Sequence, residues 1–151
     1  MALTDRPSFS ELSRHDCVEL LRRNHVGRIA FTFHDRVDIE PISYVFADDW
    51  LYGRTSPGTK VATVRHHPWV AFEVDEIEGR FDWRSVVVHG SMYLIEPDGG
   101  DRERETYAAA VDLLRHVDAD ALTSGDPTPF RTAMFRIHAD DMVGRAASTA
   151  R

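Results

Sequence analysis

The chain has 151 residues, a formal net charge of -7, and 42% hydrophobic against 28% charged residues, which suits one globular domain spanning residues 1–151 with a buried core. A pI near 5.5 leaves no basic face for nucleic acid, and no apolar run approaches the roughly 18 residues of a membrane span. The opening MALTDRPSFS lacks the features of a secretory signal, and the single cysteine, Cys17, has no partner for an internal disulfide, so a reducing, cytoplasmic setting is expected.

Ser13-Arg14-His15-Asp16 has the spacing of a capping box, with serine at the N-cap and an acid three residues on. Leu12 and Cys17 flank it where a hydrophobic staple would close. Cys17, Leu20 and Leu21 share one helical face, so the spacing predicts a short helix over about 14–23. Cys17 then reads as a small buried apolar side chain rather than a reactive thiol.

From Val26 the period changes. VGRIAFTF (26–33), VDIEPISYVF (37–46) and WLYGRT (50–55) are rich in β-branched and aromatic residues and are joined by turn-length segments. They predict a meander of antiparallel strands. Thr59 to about His66 is expected to be a short helix that Pro68 stops. WVAFEVDE (69–76) returns to strand, and WRSVVVHGSMYLIEP (83–97) is a long one. A third helix is predicted over about 102–116, with Tyr107, Ala110, Val111 and Leu114 inward. A loop follows over 118–129, then a strand TAMFRIHA (132–139) and a polar C-terminal tail. Six strands with few, peripheral helices make a mainly β (α+β) chain and a small barrel rather than a βαβ fold.

The stretch YGRTSPGTK (52–60) gathers Arg54, Thr55, Ser56 and Lys60 around a turn that opens a helix. Unpaired N–H groups and the positive dipole end of a helix favour an anion there, and Gly58 permits close backbone approach. The same residues are good turn chemistry with Thr59 as a cap, so spacing alone leaves an anion site and a plain turn both open. Pro41 marks an edge or bulge, which either frees backbone groups for a ligand or merely guards the sheet. Trp50, Trp69 and Trp83 each open a strand, where an aromatic stacks on a ring, seals a subunit contact or packs the core. The eight histidines show no metal-ligand spacing and HExxH is absent, so no metal is expected. GxSxG is absent too, and no nucleophile stands out.

In chain order, CVELL, VGRIAF, EPISYVF, LYGRTSPGTK, HHPWVAFEVDEIE, WRSVVVHG and FRIHADDMVGR resemble the pyridoxamine 5′-phosphate oxidase-like, FMN-binding split-barrel superfamily. Within it, the small nitroimidazole-reductase-like branch is the most similar. The match runs from Leu12 to about Pro97 and more loosely to Arg145. It implies a six-stranded antiparallel split β-barrel with a few peripheral helices, and a homodimer holding flavin mononucleotide (FMN) in clefts between subunits. By the match, Thr55, Ser56 and Lys60 hold the phosphate. Ile42, Ser43 and Tyr44 lie against the isoalloxazine, largely through backbone. Trp83, Arg84 and Ser85 reach the cofactor from the long strand.

The catalytic residues stay open. Arg54 is a candidate for stabilising phosphate or negative charge on reduced flavin and substrate, and His89 is a candidate proton donor. The pyridoxamine phosphate oxidases proper carry Ser-Arg-Lys where this chain has Gly58-Thr59-Lys60. Their C-terminal arginine and histidine pattern is also missing, which argues against pyridoxamine phosphate oxidation. Gly53 stands where relatives are often bulky, implying a wider pocket. Some relatives hold a deazaflavin coenzyme or haem. The expected function is a flavin-dependent oxidoreductase acting on a small organic substrate, with electrons from a nicotinamide or deazaflavin donor. The alternative is a non-catalytic module that binds or stores flavin, deazaflavin or haem.

Overall fold

The computed structural model describes residues 6–149. Its elements are β1 (Pro7–Leu12), α1 (Arg14–Arg23), β2 (Val26–Phe33), β3 (Arg36–Ala47), β4 (Trp50–Thr55), α2 (Thr59–His66), β5 (Trp69–Gly79), β6 (Asp82–Ile95), α3 (Asp101–Arg115), β7 (Ala133–His138) and β8 (Asp141–Thr149).

β2, β3 and β4 form the expected antiparallel meander. β2 also pairs β5, β4 pairs β7, and β6 pairs both β5 and β7, so the ring β6-β5-β2-β3-β4-β7 closes on itself. These are the six strands the sequence predicts, and the ring is the predicted barrel. Closure is loosest between β2 and β5, whose pairing covers only Arg28 to Ala30 on β2.

β6 makes the split. Over Trp83–His89 it pairs β8, and over Met92–Ile95 it pairs β7. Gly90 sits at the handover, where a Cβ would lie 2.9 Å from the carbonyl oxygen of His138. Glycine lets the β7–β8 corner pass this close to β6.

Two elements differ from expectation. The C-terminal tail, expected to be irregular, is strand β8. The segment ahead of the first helix is strand β1, paired with β8 from Pro7↔Thr149 to Leu12↔Gly144. β1 is exposed from Ser8 to Glu11, so it has no apolar alternation to announce it. The long free edge of β6 orders β8, and β8 in turn offers its other edge to β1.

The main core fills the barrel, with Ile29, Phe72, Val86, Val88, Phe135 and Ile137 fully buried. α1 packs onto it through Cys17, Leu20 and Leu21, and the Asp16 N–H donates to Ser13 Oγ at 3.1 Å, the cap the sequence predicts. Leu12 and Cys17 both pack against Gly144. Burial pushes the Cys17 thiol up, which makes it a packing group rather than a nucleophile. Tyr44 ties β3 to α1, its hydroxyl donating to the Leu21 carbonyl at 2.6 Å. A second cluster, including Tyr52, Ile95, Ala110, Leu114 and Met134, seats α3 on the barrel wall. No helix among the described residues is long and apolar enough to cross a membrane.

Candidate functional site

β3 carries the site because it outruns one neighbour. It pairs β2 from Arg36 to Ser43, but β4 only from Tyr44 to Ala47. The stretch Arg36–Ser43 therefore has one bare side, and Pro41, which has no N–H to give a ladder, lies within it. Lys60 at the start of α2 faces this edge, its Nζ paired with the Glu40 carboxylate. Between them lies a cleft of about 270 Å³, bounded by Ile42 and Ser43 on β3, Thr55 and Ser56 at the end of β4, and Lys60.

Gly58 is the N-cap of α2, with no side-chain hydrogen bond to the first turn and no acidic residue in that turn. Thr59 lies inside the helix rather than at its cap. The leading N–H groups stay available to an anion. Lys60 is only 9% exposed. Burial, and then the nearby Arg131 guanidinium, lower its pKa to about 8.

Arg54 sits differently from its expected role. It is 8% exposed, and both terminal nitrogens are taken by the loop after α3. They donate to Asp126 at 2.6 and 2.9 Å, with further bonds to Thr128 and the Arg131 carbonyl. This forked pair holds the Asp126 carboxyl well below the usual carboxylate range. Asp126 also accepts the N–H groups of Leu122 and Thr128, each at 2.9 Å. The guanidinium thus pins residues 118–131 to the barrel and is already matched by carboxylate, which removes it as a free oxyanion donor.

The pinned loop delivers a cation that sequence reasoning missed. Arg131 lines the cleft beside Phe130. Its guanidinium leans 5.9 Å from the Phe130 ring centroid and pairs with no carboxylate among the described residues. FRT at 130–132 has no local motif that would have exposed this. The position depends on the Arg54–Asp126 contact, made across 72 residues.

Other predicted residues are distributed as follows. Ile42 and Ser43 line the cleft, whereas Tyr44 turns into the core, with its ring edge-on to Phe72 at 5.1 Å and its N–H on the His25 carbonyl. Gly53 does not widen a pocket. A Cβ there would lie 2.4 Å from the Phe135 ring and 2.9 Å from the Ser43 carbonyl oxygen, so Phe135 fills the space. Trp83, Arg84, Ser85 and His89 lie on the half of β6 between β5 and β8. Trp83 borders a separate hollow with Phe9 of β1 and Arg145, and His89 is exposed. A single chain does not bring these four to Lys60. A larger hollow, about 410 Å³, lies between the β2–β3 hairpin and the far end of α2. It is mostly apolar and holds neither Lys60 nor Arg131.

Residues 13–146 match the family model described as pyridoxamine 5′-phosphate oxidase. The chain belongs to the pyridoxamine 5′-phosphate oxidase family. Within reach of this oxidase-family chain, protein RA0666 of Rhizobium meliloti (strain 1021) is 32% identical over 142 residues, covering 90% of this chain and 93% of that one. A Mesorhizobium loti protein described as FAD-binding is 30% identical with a TM-score of 0.71, over 93% of this chain and 98% of that one. A Bacteroides thetaiotaomicron protein named for 5-nitroimidazole antibiotic resistance shares the fold of the pyridoxamine 5′-phosphate oxidase family at 16% identity and a TM-score of 0.69, over 94% and 89% of the two chains.

Proposed function

We propose that this chain holds a flavin by its phosphate in the cleft between β3 and α2, and serves as a flavin-dependent oxidoreductase for a small organic substrate. One observation carries it: Lys60, Arg131, Thr55 and Ser56 converge with the uncapped start of α2 at the bare edge of β3. Two cations beside a helix N-terminus suit a phosphate dianion. Exposed Ser43, at the end of the bare edge, offers its backbone to a polar ring edge. FMN is the smallest flavin that meets these groups, and the FAD-binding description of the Mesorhizobium loti relative supports a flavin. A bound flavin supplies the redox chemistry, with electrons from a nicotinamide or deazaflavin donor, so the protein's part is to bind, orient and tune it.

The remaining wall of the site is assigned to a second copy of the chain. Val37, Ile39, Trp69 and Ile77 are all exposed and share the outward side of the sheet β6-β5-β2-β3 with Ser85 and His89. Such an apolar face is characteristic of an interface. Two-fold packing would carry the Trp83–His89 strand of one chain toward the cleft of the other.

Titrations of FMN and of phosphate-free riboflavin into the parent and Lys60→Ala test the phosphate site. Loss of a charge-assisted hydrogen bond costs roughly 1.5–3 kcal/mol, so FMN binds about tenfold to hundredfold more weakly. Riboflavin binding stays as it was, and half-exposed Glu40 remains solvated in the variant. Equal FMN affinities in parent and variant would retire the site. Anaerobic reduction of the bound flavin by a nicotinamide or deazaflavin donor separates an oxidoreductase from a storage module, which would bind without turnover.

A further inference from the structure

We infer that Glu40 is a built-in competitor for the phosphate site: its carboxylate holds Lys60 in the flavin-free chain, and an incoming phosphate dianion turns it out to solvent. Glu40 thereby sets the affinity of the cleft and selects doubly charged groups over singly charged ones. This names how the phosphate site proposed above is regulated, and it rests on that reading.

The placing of Glu40 follows from β3. Glu40 pairs with Ile29 of β2 on one side and has no β4 partner on the other. Side chains alternate along a strand, so Glu40 and Ile42 share a side, and both border the cleft. Pro41 restricts the residue before it to extended backbone, and the ladder to β2 holds Glu40 there. The carboxylate therefore leaves Lys60 only by turning its own side chain. Solvent is open to it, because the Glu40 side chain is 44% exposed against 9% for Lys60. An ammonium so deeply placed needs an anionic partner, and of the two groups the carboxylate is the one free to move.

The charges of the cleft point the same way. Among the described residues, Glu40 is the only carboxylate bordering it, beside Lys60, Arg54 and Arg131. Arg54 is matched by Asp126 of the loop after α3. With Glu40 on Lys60, Arg131 is the one cation left without a carboxylate, which suits a singly charged anion. With Glu40 turned out, Lys60 and Arg131 together suit a dianion. A carboxylate and a phosphate on the same buried ammonium repel each other, and little water lies there to screen them. A dianion gains a second charge-assisted contact by displacing Glu40. A monoanion, already satisfied by Arg131, gains no such contact.

Titrations of FMN and phosphate-free riboflavin into the parent, Glu40→Gln, Lys60→Ala and the double variant test this. About pH 7 is suitable, where a phosphate ester is mostly dianionic and Lys60, with its pKa of about 8, is mostly protonated. Glutamine keeps the shape of the side chain without its charge. Glu40→Gln is expected to bind FMN more tightly by a factor on the order of ten, within the range of couplings between contacting groups. Riboflavin affinity should stay as it was, and in the Lys60→Ala background the same substitution should gain nothing. At fixed ionic strength, sulfate should compete with FMN more strongly in Glu40→Gln than in the parent, whereas nitrate should not. FMN affinity that is equal or weaker in Glu40→Gln would overturn the inference, the weaker case making Glu40 a support that orients Lys60. An equal gain for riboflavin, or for nitrate, would overturn it too. If Lys60→Ala binds FMN as the parent does, the phosphate site itself fails, whatever Glu40→Gln shows.

Discussion

Lys60 sets the pH behaviour of the cleft. In the folded chain its pKa is lowered from the ordinary 10.5 to about 8. Between those values the unfolded chain binds more protons than the folded one, so the stability of the empty protein rises with pH across that window. Flavin binding runs the other way, because the phosphate needs the protonated ammonium. FMN affinity should be level near pH 7 and fall above about pH 8, with a limiting slope of about tenfold per pH unit for one proton. Titrations across that range check the slope, and Lys60→Ala should flatten it. An equally steep fall in the variant would assign the titration to another group.

At the scale of an element, the loop over 118–131 hangs on one ion pair. The Asp126 side chain is 2% exposed and Arg54 is 8% exposed, so the pair is dry on both sides. Removing one partner strands the other in a buried place. Arg54→Met should therefore lower the melting temperature on the order of 10 °C. It should also speed amide exchange across 118–131 and weaken FMN binding, because Arg131 is no longer delivered to the cleft. Exchange rates are the discriminating measurement. If Arg54→Met leaves the loop as protected as the parent, the pinning role fails. Acid attacks the same contact: the Asp126 pKa is depressed in the fold, so its contribution is present above the ordinary carboxylate pKa and is lost as pH falls below it.

For the whole molecule, the outward side of the sheet is the feature a lone barrel leaves unexplained. Its apolar residues surround a polar centre where Arg28 bridges Glu73 at 3.3 Å and Asp75 at 3.2 Å. Burial and the neighbouring Asp75 carboxyl push Glu73 up to about 7. If two copies meet through this face, light scattering should give twice the chain mass at micromolar concentration. Ile39→Glu should then yield folded monomer, because Ile39 is 67% exposed in the single chain and a carboxylate there disturbs no core. FMN binding should weaken with it, since the Trp83 strand of the second copy would be lost. A parent that is monomeric and still binds flavin would dispose of the shared site.

What the sequence determines by itself is what its local patterns enforce. The Ser13–Asp16 cap and the face of Cys17, Leu20 and Leu21 make α1, and six alternating apolar runs make the ring. Thr55, Ser56 and Lys60 share a cleft because strand, turn and helix follow one another within a few residues. The rest depends on contacts between distant segments. β1 and β8 have weak patterns of their own and become strands because β6 lends an edge to β8, and β8 one to β1. Gly53 reads as an opening until Phe135, its cross-strand partner on β7, fills it. Arg54 reads as a free cation until Asp126 takes it, and Arg131 enters the cleft by that same contact. A periodicity of two or 3.6 residues reports which face of an element is apolar. It cannot report which distant carboxylate reaches a guanidinium first, because only the packing of the folded chain brings the two together.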